Sequence, residues 1–319
     1  MKLARYSEDR LVADITRGLS LGADVRVGAG DDCAVIGAPR AARWALLKAD
    51  AVVEGVHFLR ADDPRRVGWK ALCRAISDVA AMGGVPEHAL ITIALSRDDD
   101  VARVKAFYTG LRRAARKFGV SIVGGETSRS PGPMFVSVAL TGSVERTRCV
   151  LRSGARPGDV LFVTGRLGGS RAGKHLDFTP RLAEARWLVT HFRPHAMMDL
   201  SDGLAADLPR LARASGCGFA LDEPLIPLTP GCTLKQALSD GEDFELLFAL
   251  SPKDAAGIGP KWTRTFGKLP LTRIGRVTQL SPPHHGLLAK PRISTLPSTS
   301  SGPFGNSQHP HANDHFADA

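Results

Sequence analysis

Between Pro64 and Met82 apolar residues recur at helical spacing, at Val67, Ala71, Leu72, Ala75, Ile76 and Val79, and one acid, Asp78, falls on that face. A stripe of this kind must be buried against a sheet or another helix. An isolated carboxylate within it is destabilising unless a cation or hydrogen bonds compensate. The chain is therefore expected to fold so that Asp78 meets a metal ion.

Other acids stand in comparable places. They occur in Gly30-Asp31-Asp32, Ala49-Asp50, Gly124-Gly125-Glu126, Asp199-Leu200-Ser201-Asp202-Gly203 and Gly241-Glu242-Asp243, each beside glycine or at the end of an apolar run. The formal charge of the chain is +10, so carboxylates are the minority charge. Gathering several of them requires divalent cations, and divalent cations next to glycine turns point to phosphate chemistry.

Around Asp78 the pattern alternates. Trp44–Asp50 reads as a strand ending in an acid, Leu90–Leu95, Val120–Val123 and Met134–Leu140 as further strands, and Val101–Phe118 as a helix stopped by Gly119. This order predicts an α/β or α+β domain over residues 1–148. The turn-rich Arg152–Asp159 leads into a strand at Val160–Thr164. A second α/β domain is expected over 149–280, with helices near Leu182–Phe192 and Leu204–Ala214 and strands near Ala196–Leu200 and Glu245–Leu250. Residues 281–319 are rich in Ser, Pro, Gly and His and read as a loosely attached tail.

The length of 319 residues suits two domains. No apolar run approaches the roughly 18–20 residues that span a bilayer, and the charged first ten residues carry no signal-peptide stretch. A cytoplasmic protein is expected, without a membrane partner. Five dispersed cysteines, none in a Cys-x-x-Cys pair, point to reduced thiols rather than disulfides or zinc. The arginines are dispersed too, with the densest group (Arg112, Arg113, Arg116, Lys117) on one helix face, so nucleic acid is not expected as a partner.

At finer grain, Asp50 at a strand end is placed as ligand residues of α/β sheets commonly are. Gly124 and Gly125 would let a backbone approach a phosphate, with Glu126 beside it to hold metal. Strand alternation puts Asp199 and Ser201 on one face, and Ser201 or Asp202 is expected to cap the next helix. The run Gly168–Lys174 has phosphate-loop spacing, but His175 follows it where a Ser or Thr would bind magnesium, and Pro180 makes a poor helix. It is set aside.

Taken in order, Gly30-Asp31-Asp32-Cys33-Ala34-Val35, Asp50 through Phe58 with Glu54-Gly55-Val56-His57, Trp69-Lys70-Ala71-Leu72, Ser77-Asp78-Val79-Ala80-Ala81-Met82-Gly83, Gly124-Gly125-Glu126-Thr127, Arg152-Ser153-Gly154-Ala155, Asp199-Leu200-Ser201-Asp202-Gly203-Leu204 and Gly241-Glu242-Asp243-Phe244-Glu245-Leu246 resemble the thiamine-phosphate kinase family. The resemblance runs from about residue 5 to 280. The family is part of the superfamily of aminoimidazole ribonucleotide synthetase, selenophosphate synthetase and a hydrogenase-maturation protein. It implies two α/β domains, an N-terminal mixed sheet used in homodimerisation, and ATP with several magnesium ions in an acidic cleft.

Carried onto this chain, the resemblance implies magnesium at Asp32, Asp50, Asp78, Glu126, Asp199 and Asp202. It also implies ATP contacts at Gly125, Glu126, Arg152 and Ser201, and contacts to thiamine monophosphate at His57 and Glu242. Asp78, Asp50 and Asp202 are the expected catalytic positions. The chain departs from the family pattern in four places. Lys48 and Ala49 stand where hydroxyl residues are usual, Glu126 replaces Asp, and Asp240 replaces a glycine. The aromatic residue that stacks on thiamine has two candidates, Phe304 and Phe316. The implied reaction is phosphorylation of thiamine monophosphate to thiamine diphosphate. The alternatives are another ATP-dependent synthesis of the superfamily, of the aminoimidazole ribonucleotide or selenophosphate type, or a nucleotide-binding regulator without turnover.

Overall fold

Helix formation in the first half follows the apolar stripe, and the ends are set by local chemistry. In the computed structural model, which describes residues 7–280, Pro64–Ala81 is a helix. The side chain of Asp63 caps it by accepting from the Arg65 amide at 2.9 Å, with Pro64 at the first helical position. Val101–Phe118 is likewise capped by Asp100, at 2.7 Å from the Ala102 amide, and ends at Gly119 in the left-handed conformation. In chain order the helices are α1 (Glu8–Thr16), α2 (Pro64–Ala81), α3 (Val101–Phe118), α4 (Leu182–His191), α5 (Leu204–Ala214), α6 (Leu234–Ser239) and α7 (Pro252–Phe266). The strands are β1 (Val25–Val27), β2 (Ala34–Ile36), β3 (Arg43–Val53), β4 (Val85–Leu95), β5 (Ser121–Arg129), β6 (Phe135–Glu145), β7 (Val160–Thr164), β8 (Ala196–Asp199), β9 (Gly218–Leu221), β10 (Leu246–Leu250) and β11 (Leu271–Thr278).

These elements form two compact units. Among the described residues, one comprises 22–151 and 172–193; the other takes 7–21, 152–171 and 194–280. The segment 172–193, which the sequence reading assigned to the second domain, packs with the first. Its apolar face explains why, since α4 rests on α2 and Val189 lies where any side chain at Gly83 would go.

The N-terminal unit holds a six-stranded mixed sheet of order β1-β2-β3-β6-β4-β5, antiparallel except for the parallel β4–β5 pair. One face carries α2 and α3. The two helices cross closely at Gly68 and Gly110, where an added Cβ would stand 2.0 Å from the Phe107 carbonyl and 1.7 Å from the Arg65 carbonyl respectively. In β3 the alternation turns Leu46, Lys48, Asp50 and Val52 toward the helix face, and Ala45, Leu47 and Ala49 away from it. Ala49 aligns with Ala139, and Ala139 with Leu90, on the outer face.

The C-terminal unit is built on a five-stranded antiparallel sheet of order β8-β10-β7-β11-β9. Met198, Leu200, Leu204, Leu208, Leu247 and Ile274 lie at the centre of its core.

Strands β3, β4, β5 and β6 all run longer than the sequence predicts, and two of the extensions bear on the site. Asp50 does not end β3, which continues to Val53, and Gly124-Gly125-Glu126 lies inside β5 rather than after it. The first extension is possible because Asp50 is ion-paired within the sheet–helix layer. The second follows from β5 being an exposed edge strand, where glycine is tolerated. Phe304, Phe316 and the tail histidines lie outside the described residues.

Candidate functional site

In the N-terminal unit two of the expected metal ligands, Asp50 and Asp78, sit at the interface of β3 and α2. Asp78 is buried on α2, and Asp32 is buried in the turn before β2. Each presents a carboxylate oxygen within 4.8 Å of the other. Lys48, reaching from β3, donates from Nζ to Asp78 Oδ1 at 2.8 Å. Arg74, one turn before Asp78 on α2, donates from Nε to Asp50 Oδ2 at 3.1 Å and from Nη2 to Asp50 Oδ1 at 3.3 Å. The Ala51 amide adds a third bond to Asp50, at 2.9 Å.

The charge states follow from these contacts. Burial would lower the Lys48 ammonium, but Asp78 first, then Asp50 and Asp32, hold it above the usual lysine value. Burial would raise the Asp50 carboxyl, yet Arg74 and then Lys48 keep it below the usual carboxylate value. The Lys48 ammonium and the Asp50 carboxylate are therefore both charged at neutral pH. The departure at Ala49 carries less weight than the sequence suggests, because that side chain faces the opposite side of the sheet. The departure that reaches the carboxylates is Lys48.

Hard carboxylate oxygens at Asp32, Asp50 and Asp78 suit magnesium by donor type. Asp50 and Asp78 each already carry a protein cation. The residues fit magnesium, with Lys48 and Arg74 standing in for part of the positive charge.

His57 follows β3 in a tight loop. The Val53 amide donates to His57 Nδ1 at 3.0 Å, so Nδ1 is the acceptor and the neutral ring carries its proton on Nε2. Lys70, fully buried on α2, donates to the His57 carbonyl at 2.5 Å and lies 2.7 Å from His175 Nδ1. It ties the His57 loop to the helix. Gly125 is required by its own strand, since a Cβ there would stand 1.8 Å from the Ile91 carbonyl of β4. Glu126, next in β5, is exposed and pairs in register with Thr92.

In the C-terminal unit the acids are held differently. Asp199 is buried at the end of β8, opposite Leu246. The strand stops there, so Ser201 lies in the following loop and is not placed by strand alternation. Neither Ser201 nor Asp202 caps α5. Gly203 occupies the N-cap without a side-chain bond, because the capping acceptor comes from inside the helix. Asp207, fully buried in the first turn, accepts from the Ser201 and Asp202 amides at 3.0 Å each. It also accepts from Arg210 Nη1 at 2.9 Å. Burial, then the neighbouring Asp202, push the Asp207 carboxyl up to about 8, against the pull of Arg210. Arg210 also makes a short contact with Asp202.

Glu242 and Phe244 both adopt positive φ, at 56° and 50°, on either side of the buried Asp243. Non-glycine residues in this region store strain, which concentrates at functional turns. The Glu242 amide donates to the Ser201 carbonyl at 2.7 Å, so the two expected contact residues are joined through their backbones. Asp243 accepts from the Gly168 amide at 3.1 Å and from Ser170 Oγ at 2.5 Å, and Asp240 accepts from the Gly169 amide at 2.8 Å. The amides that a phosphate loop would offer are thus occupied by carboxylates. Arg152 sits in a turn fixed by Ser215, whose Oγ donates to the Arg152 carbonyl at 3.0 Å and accepts from the Ala155 amide at 3.1 Å.

Two anchoring acids, Asp207 and Asp243, escape sequence reasoning as site-shaping groups. A signal existed for Asp207, an acid five residues beyond Asp202 in the first turn of an apolar helix.

Residues 30–144 match the family model described as AIR synthase related protein, N-terminal domain, and residues 169–280 match its C-terminal domain. The thiamine-monophosphate kinase of Rhodopirellula baltica is 37% identical over 270 residues, covering 79% of this chain and 84% of that protein. The chain belongs to the thiamine-monophosphate kinase family. The enzyme of that name from Aquifex aeolicus is 37% identical over 280 residues, covering 78% of this chain and 86% of its own length. A solved structure described as AaThiL complexed with AMPPCP and TMP superposes with a TM-score of 0.75 at 35% identity, covering 88% of this chain and 93% of that one.

Proposed function

We propose that this chain transfers the γ-phosphoryl group of ATP to thiamine monophosphate, giving thiamine diphosphate and ADP. The observation that carries the reading is the match, over 93% of its length, to a structure described with AMPPCP and TMP bound. A phosphate oxygen of the acceptor attacks the γ-phosphorus in line, the new P–O bond forms, and the β,γ-bridging P–O bond breaks with ADP leaving. The acceptor oxygen is already anionic near neutral pH, so no strong general base is needed. The barrier is repulsion between two anions together with their alignment.

Each expected residue then has a part. Asp32, Asp50, Asp78 and Glu126 in the N-terminal unit, and Asp199 and Asp202 in the C-terminal unit, would hold magnesium. When bound, the metal supplies neutralisation of phosphate charge and orientation of the phosphate oxygens. Asp78, Asp50 and Asp202 are the catalytic positions in this reading. Gly125, Glu126, Arg152 and Ser201 contact ATP, with the Arg152 guanidinium suited to phosphate oxygens. His57 offers its Nε2 proton to the acceptor, and Glu242 offers a carboxylate to its cationic ring. The outer face of the N-terminal sheet exposes Leu47 and Leu90 around small residues, which supports homodimerisation through that sheet. Among the described residues no helix is long and apolar enough to cross a membrane. A cytoplasmic location is part of the proposal.

ADP release in magnesium, with and without thiamine monophosphate, tests the reading. Acceptor-dependent ADP is the expected result. Nucleotide binding without turnover would favour the regulator reading, which the Lys48–Asp78 and Arg74–Asp50 pairs support by occupying two ligand carboxylates.

A further inference from the structure

β3 and α2 exchange charges reciprocally. The strand carries Lys48 and Asp50 two residues apart on one face, and the helix carries Arg74 and Asp78 four residues apart on one face. Lys48 of the strand pairs with Asp78 of the helix at 2.8 Å, and Arg74 of the helix pairs with Asp50 of the strand at 3.1 Å. The four side chains are mostly withdrawn from water, at 23%, 10%, 13% and 18% exposure for Lys48, Asp78, Arg74 and Asp50.

We infer that Lys48 and Arg74 are resident cations occupying, on Asp78 and Asp50, positions that divalent ions would otherwise fill, so that the N-terminal unit holds fewer metal ions than its carboxylates could bind. This rests on the kinase reading, which makes those carboxylates metal ligands. Magnesium binds carboxylate oxygen at about 2.0–2.1 Å with near-octahedral demands. An ammonium 2.8 Å from Asp78 Oδ1 competes for that oxygen and repels a second cation beside it. At Asp50 both oxygens are engaged, Oδ2 by Arg74 Nε, and Oδ1 by Arg74 Nη2 and the Ala51 amide. The fixed cations also cannot dissociate, so this part of the neutralisation is independent of the free magnesium concentration.

The test counts Mn2+ ions, as a spectroscopic probe for magnesium, bound to the full chain without nucleotide, in wild type, Lys48→Ser, Lys48→Arg and Arg74→Ala. Lys48→Ser is expected to bind one more Mn2+ ion than wild type, or to bind its tightest ion on the order of tenfold more strongly. Arg74→Ala should show the same gain, and Lys48→Arg should match wild type. If Lys48→Ser is too unstable to count, its melting temperature should rise more on adding magnesium than that of wild type does. An unchanged Mn2+ count and affinity in Lys48→Ser, or no magnesium rescue of its melting, overturns the inference. Acceptor-dependent ADP release by wild type, measured in parallel, separates the two ideas. Its absence sinks the kinase reading, whereas normal turnover with an unchanged metal count sinks only the resident-cation inference.

Discussion

The two units solve one problem, keeping acids out of water, by opposite means. In the N-terminal unit Asp78 and Asp50 are balanced by long cationic side chains reaching across from the facing element. In the C-terminal unit Asp207, Asp243 and Glu245 are held chiefly by backbone amides and hydroxyls. The first arrangement tunes charge, since each partner can be exchanged without moving the chain. The second fixes shape, because each carboxylate determines where a loop runs. The contrast predicts that the anchoring acids Asp207, Asp243 and Glu245 of the C-terminal unit matter most to folding, and Asp50 and Asp78 of the N-terminal unit most to turnover.

Asp207→Ala gives the largest expected effect on stability. It leaves the Ser201 and Asp202 amides without their acceptor, while Arg210 keeps Asp202 and Asp9, so urea unfolding should show a loss of about 2–5 kcal/mol. A loss below about 1 kcal/mol would break the contrast. Asp78→Asn is its counterpart. Turnover should fall on the order of a hundredfold or more, with circular dichroism and cooperative melting retained. Near-normal turnover would remove Asp78 from the catalytic group.

A smaller effect is expected at Thr164, whose Oγ1 donates to Glu245 Oε2 at 2.8 Å and accepts from the Leu246 amide at 2.9 Å. Thr164→Val leaves both partners buried and should cost about 1–3 kcal/mol, read from the denaturant midpoint. The smallest is a pH effect in the N-terminal unit. Arg186 donates to Glu145 at 2.8 and 2.9 Å, and this bonding, against the opposing effect of burial, holds the Glu145 carboxyl down to about 2 from an ordinary 4.5. A lowered folded-state value means the contribution is present above about 4.5 and is lost as pH falls toward 2. Arg186→Met should flatten that stretch of the stability–pH curve. An unchanged slope would show that the pair contributes nothing measurable in its partly hydrated setting.

What the sequence made legible follows the same division. Helix α2 and the anomaly of Asp78 could be read because a period of 3.6 residues is written locally. The partner of Asp78 could not, since pairing Lys48 with it depends on how β3 lies against α2, which no local pattern encodes. Asp50 was read as a strand end because a charge normally stops an apolar run, and a guanidinium from another element removed that penalty. Asp207 looked like any first-turn acid of an amphipathic helix. Its role appears only when the loop before α5 is seen to fold back onto it.

The left-handed turn at Glu242 sets two selections against each other. Screened only for resistance to heat, that position should drift to glycine or asparagine, which occupy φ of 56° at little cost. Screened for growth that depends on thiamine diphosphate supply, the acid should be held. The residue frequencies recovered from those two screens would measure how much comfort the backbone gives up to keep a carboxylate there.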